Sequence, residues 1–119
     1  MSFKNQTFPA RLGFALRGLK FALRTEASLR TQAIVLVAVL IVLVLLRPEP
    51  MWWALVALAS AAVIATELLN TALEQLADLL HPELHPRIRV LKDCAAAAVL
   101  IASLGALGVA AAFAVHLFR

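Results

Sequence analysis

Glycine is scarce in this chain of 119 residues. The four present, Gly13, Gly18, Gly105 and Gly108, cannot build a phosphate-cradling P-loop or a dinucleotide-binding turn. No G-x-S-x-G nucleophile elbow occurs. Any use of a nucleotide must therefore come from an unusual site. The single cysteine, Cys94, excludes an internal disulfide and gives no metal-binding spacing. The N-terminal MSFKNQTFPARLGF lacks both an apolar h-region after its first basic residues and a small-residue cleavage site. A cleaved signal peptide is not expected.

What is abundant is apolar surface. Hydrophobic residues make up 63% of the chain, and mean hydropathy is +0.91. Soluble domains are about 45–50% apolar, so the excess points to a membrane protein of one domain, residues 1–119. Net charge is +4. The basic residues flank apolar runs, which favours anionic headgroups over nucleic acid as their partner.

Three apolar segments stand out. Ala33 to Leu46 has no polar residue but is short of the roughly 20 residues a span needs. It reaches that length when the helix starts at Ala27, with Ser28, Arg30 and Gln32 at its headgroup end, giving a span over 27–47. The second span covers 51–80 and the third 92–118. RPEP, from Arg47 to Pro50, is a tight stop, because proline cannot continue a helix. HPELHPRIRVLKD, residues 81–93, reads as the one sizeable polar loop. Upstream, Phe8 to Arg24 mixes Arg11, Arg17, Lys20 and Arg24 with Leu12, Phe14, Leu16 and Phe21. This predicts a basic amphipathic helix over 8–25 lying in the membrane surface.

Six of the eleven Lys and Arg lie before the first span or, as Arg30, at its headgroup end, three sit in 81–93, and only Arg47 and Arg119 lie opposite. The positive-inside rule then places the N-terminus and the 81–93 loop in the cytoplasm, with Trp52 and Trp53 at the outer interface. Glu67 follows Trp52 by fifteen residues, about 22 Å at 1.5 Å per residue. It falls inside a hydrocarbon core about 30 Å thick, near the cytoplasmic boundary. Glu74 lies about 10 Å further, at headgroup or water level. Seven residues is near two turns, so Glu67, Asn70, Glu74 and Asp78 share a face.

An ionisable group within a span costs several kcal/mol and is kept where it is paired or does work. Glu67 is thus either a working acid or a packing device paired with Asn70 or a neighbouring helix. Asp78 reads as an ordinary solvated residue at a helix end. If the spans bundle, Glu26, Glu74, Asp93 and Lys92 become neighbours, with Glu83 and His85 close by. Carboxylates with a lysine suit magnesium and a nucleotide phosphate better than zinc, for which His81 and His85 are a weak signal. His116 reads as interfacial. Ala95, Ala98, Ala102, Gly105 and Ala112 give the third span a small-residue face for close helix approach.

ELLNTALEQLAD, the histidine-bearing loop, KDCAAAAVL and RGLKFALRTEASLR together resemble the prokaryotic diacylglycerol kinase family of small membrane lipid kinases. The resemblance covers about residues 11–118, and E-x-x-N-x-x-x-E with a downstream K-D pair is its specific signature. It implies an all-α membrane fold, a surface helix plus three transmembrane helices, assembled as a homotrimer in the bacterial inner membrane. The implied activity is transfer of the γ-phosphate of Mg-ATP to diacylglycerol, giving phosphatidic acid. Glu67 would be the general base. Glu26 and Glu74 would hold Mg²⁺ with ATP, and Asn70 would support that site. Glu83 and His85 would meet the nucleoside, Lys92 the phosphates with Asp93 beside it, and Arg11 would be the family's early arginine. Arg30 and Ala96 fall among the substrate-binding or supporting positions. Ala95 and Ala96 stand where the family often has glycine and serine, which removes a serine contact to substrate. ELLNTA, the H-P pair and the alanine run also resemble the undecaprenol kinase branch. Two other classes remain: a proton-coupled transporter using Glu67, and a non-catalytic membrane subunit. The polar stripe stops at one side of the span, which counts against a transport path.

Overall fold

The computed structural model describes residues 5–81, 83 and 85–119, and these form four helices. They are α1 (Phe8–Thr25), α2 (Ala27–Leu46), α3 (Pro50–Leu80) and α4 (Pro86–Leu117). The last three are long and apolar enough to cross a membrane.

Three of the four helices start on a readable local signal. Thr7 caps α1 by accepting from the Ala10 N–H at 3.4 Å. Pro50 and Pro86 occupy the first positions of α3 and α4, where a missing N–H costs nothing. His85 caps α4 through Nδ1, which accepts from the Arg87 N–H at 3.1 Å.

Two boundaries differ from the sequence reading. The second proline of HPELHPRIRVLKD opens a helix instead of extending a loop, so the connector shrinks to 81–85. Arg87, Arg89, Lys92 and Asp93 ride on the first two turns of α4. At the other end, α2 stops because Arg47 adopts the left-handed conformation (φ 49°, ψ 56°) and returns its N–H to Leu43 O at 2.9 Å. Pro48 and Pro50 follow that stop and do not cause it alone.

α3 and α4 form the most extensive pair, an antiparallel hairpin. At one end the Trp52 ring lies 5.0 Å from Phe113 and 5.2 Å from His116. At the other, Lys92 Nζ meets Asp78 Oδ1 at 2.7 Å. α1 and α2 pack on each other and more sparingly on α3, and among the described residues neither touches α4. Few side chains are buried; Leu29 and Leu43 are the largest. Ile34, Val37, Leu45, Leu100, Ile101 and Leu107 all stand exposed. That is the surface expected when the solvent on the outside is lipid, where only closed backbone hydrogen bonding is mandatory.

The small residues of α4 divide between two faces. Ala95 is buried, yet a Cβ added at Gly105 or Gly108 meets nothing within 4 Å. Close approach within one chain therefore does not use the glycines.

Candidate functional site

The polar stripe of α3 is a ladder of increasing exposure. Glu67 is 5% exposed, Asn70 and Glu74 are half-buried, and Asp78 is exposed. α3's 31 residues make it about 46 Å long, more than a hydrocarbon core of about 30 Å, so one helix supplies both buried and wet rungs.

Glu67 is held from α2. Gln32 Nε2 donates to Glu67 Oε1 at 2.9 Å, and Ser28 Oγ donates to Oε2 at 3.3 Å. Ser28 and Gln32 are four apart, one turn on one face of α2. The sequence reading placed both only as headgroup-level residues of the first span. The usable signal was their i, i+4 spacing opposite a buried acid. Thr71 adds to the same level by donating from Oγ1 to the Glu67 carbonyl at 3.0 Å. Glu67 does pair with a neighbouring helix, as the packing alternative required. The pairing does not exhaust it: a carboxylate offers about four lone-pair positions, and two are used.

Asn70 Nδ2 donates to Glu74 Oε1 at 3.2 Å, so the two stripe residues are joined along their own helix. Among the described residues the buried Asn70 Oδ1 has no partner, and neither has Gln32 Oε1. The second Glu74 oxygen has no protein partner among the described residues. Glu26 forms the one-residue elbow between α1 and α2, extended at φ −110°, ψ 110°. Arg30 braces that elbow: one guanidinium nitrogen donates to Leu23 O and Arg24 O, each at 2.9 Å. In a single chain it serves α1's last carbonyls.

A second, open cleft of about 340 Å³ lies where α3 hands over to α4, lined by Asp78, His81, Glu83, Ile88, Arg89, Lys92 and Asp93. Three expected nucleotide residues, Glu83, Lys92 and Asp93, thus share one cleft. His85 does not line it, but its ring lies 4.9 Å from that of His81, which does. Arg89, His81 and Asp78 are cleft residues the sequence reading left out of the site. Asp78 is not simply solvated, because it pairs with Lys92. The expected meeting of Glu26 with Lys92 and Asp93 is absent within one chain: α4 contacts neither α1 nor α2 among the described residues. Ala96 is exposed on α4, and Arg11 is exposed on α1.

Among the described residues no three metal-ligating side chains gather. Magnesium does not need them, since it is usually held by one or two carboxylates plus substrate phosphates. A half-buried carboxylate with one free oxygen beside a buried, unpartnered amide oxygen, as at Glu74 and Asn70, is a hard-oxygen donor set of that kind.

A family profile described as prokaryotic diacylglycerol kinase matches residues 13–114. A diacylglycerol kinase of Synechocystis sp. is 39% identical over 94 residues, 78% of this chain and 54% of the relative. An undecaprenol kinase of Bacillus subtilis is 35% identical over 85 residues, 71% of this chain and 69% of the relative. The chain thus spans about half the length of the first relative and about two thirds of the second.

Proposed function

The chain belongs to the prokaryotic diacylglycerol kinase family, and from that premise we propose that it is an ATP-dependent lipid kinase acting on diacylglycerol. The observation that carries the reading is Glu67: an acid buried in a membrane-capable helix, oriented by two donors and keeping free lone pairs. In the proposed reaction Glu67 takes the proton of the lipid hydroxyl. The hydroxyl oxygen bonds to the γ-phosphorus, and the bond from that phosphorus to the bridging oxygen of ADP breaks. The products are phosphatidic acid and ADP.

The depth order supports the assignment. A base for a lipid hydroxyl belongs within the bilayer, and groups that meet ATP belong in water. Glu67 and the Asp78–Lys92 cleft stand eleven residues apart on α3, about 16 Å along its axis. Phosphoryl transfer rests mainly on positioning and charge neutralisation, so few residues suffice. Glu74, with Asn70 beside it, and Glu26 would hold Mg²⁺. When bound, that ion neutralises charge on the β- and γ-phosphates. Lys92, Arg89 and Arg11 would meet phosphate oxygens, Asp93 would support Lys92, and Glu83 and His85 would contact the nucleoside. Arg30 and Ala96 would border the lipid.

The proposal extends to assembly and orientation. A homotrimer in the bacterial inner membrane would bring together α2 and α4 faces that stay apart in one chain. The cytoplasm would hold α1, lying in the membrane surface, and the cleft. The similarity to an undecaprenol kinase supports a second reading with the same site and a polyprenol acceptor.

One assay tests both. Labelled ATP is offered with diacylglycerol or undecaprenol in mixed micelles, to the wild type and to Glu67→Gln. Transfer to diacylglycerol by the wild type alone is the expected result. Clear preference for the polyprenol replaces the acceptor, and full turnover by Glu67→Gln removes the base.

A further inference from the structure

We propose that Gln32 is the positioning residue for Glu67, an inference that rests on Glu67 being the base. Gln32 supplies the better of the two bonds to that acid. Its Nε2 donates at 2.9 Å, whereas Ser28 Oγ sits at 3.3 Å, beyond the usual 2.5–3.0 Å of a hydroxyl donor. Ser28 is also exposed, while Gln32, one turn further along the same helix, is half-buried. Without Gln32 the carboxylate would keep only the long bond.

The amide carries a second mark. Its Oε1 is buried and has no partner among the described residues. Turning the amide over would aim that oxygen at a carboxylate oxygen, so the charge at Glu67 dictates which end faces it. A buried acceptor left unpaired is a net cost to the folded chain. A side chain kept only to fill space between α2 and α3 would avoid that cost as leucine or methionine. Glutamine at this position is therefore explained by what its N–H does to Glu67. A base must be held within a fraction of an ångström of productive geometry, and a displacement of about 1 Å costs about 10²-fold in rate.

The test measures turnover at saturating lipid alcohol, and KM for Mg-ATP, in the full chain. Gln32→Met removes donor and acceptor at similar volume. Gln32→Glu keeps the shape but sets an acceptor against an acceptor. Gln32→Asn keeps the amide on a shorter arm. Helix content and elution in detergent report folding. Gln32→Met is expected to lower kcat by about 10- to 100-fold with KM for Mg-ATP within about twofold. Gln32→Glu should fall further, and Gln32→Asn should recover part of the loss. Folded Gln32→Met turning over within twofold of wild type overturns the proposal, as does a rise in KM at unchanged kcat. Should Gln32→Met not fold, Asn exceeding Glu supports the proposal, and Glu matching or exceeding Asn overturns it. Glu67→Gln is run beside them. If it retains turnover, the base reading itself fails; if it is inactive while Gln32→Met is unimpaired, only the role of Gln32 fails.

Discussion

Glu67 and Asp78 stand eleven residues apart on one face of α3, and each is held from a different side. Glu67 is buried and takes its partners from α2, through Gln32 and Ser28. Asp78 is 61% exposed at its side chain and takes its partner from α4, through Lys92. α3 thus packs along α4 yet draws the partners of its two acids from different helices, those of Glu67 from α2 and that of Asp78 from α4. Burial makes the first arrangement stringent. In a medium of low dielectric an acid deprived of its donors has nothing to replace them. Water is present at the second, so the ion pair there contributes little to stability and is replaceable.

Substitutions at the two places should therefore differ by orders of magnitude. Glu67→Gln keeps size and shape, and on the proposed role of Glu67 as base it should lower turnover by about 10²–10⁴-fold. The rate of phosphate transfer to lipid, with folding checked in detergent, measures it. Asp78→Asn releases Lys92 and removes a negative charge from the cleft. KM for Mg-ATP should fall by up to about fivefold, the equivalent of about 1 kcal/mol for an exposed pair. Lys92→Met should move KM the opposite way. An Asp78→Asn enzyme as damaged as Glu67→Gln would erase the distinction between the two ends.

Trp52 offers a third point on the same helix, fifteen residues before Glu67. Its ring meets Phe113 and His116 at 5.0 and 5.2 Å. Trp52→Ala should cost about 1 kcal/mol per aromatic pair in an unfolding titration while leaving turnover unchanged. The smallest effect is expected at Gly105. Alanine there meets no atom within 4 Å. Helix propensity favours the change by about 1 kcal/mol or less. Thermal unfolding of the detergent-solubilised chain reads that gain, and a loss of assembly in the same variant would reveal a neighbour that approaches Gly105.

The sequence carried the stripe itself, because Glu67, Asn70, Glu74 and Asp78 obey one helical period. It carried the three membrane-capable helices, because each contains a long and mostly apolar run. It did not carry the partners. Gln32 and Ser28 lie 35 and 39 residues before Glu67, and no periodicity along one helix reports which face of another will meet it. Lys92 was legible as a cation at the polar end of the bundle but not as the partner of Asp78. That pairing depends on α4 starting at Pro86, which sets Lys92 on its second turn. Proline at a helix start and proline in a loop look alike until the cap is seen. The left-handed Arg47 was illegible for a similar reason: glycine, the usual residue at such a stop, is absent there.

The direction of the cross-helix bonds has a consequence for how the chain is made. Ser28 and Gln32 precede the acid they satisfy, so during synthesis the donors are in place before the acceptor arrives. α2 is long and apolar enough to cross a membrane, and it carries its amide and hydroxyl near one edge. α3 then brings a carboxylate that would be poorly tolerated alone, and a partner from the same chain is already waiting for it. Reversing the order of these two helices, by permuting the chain, would send the acid into the bilayer first.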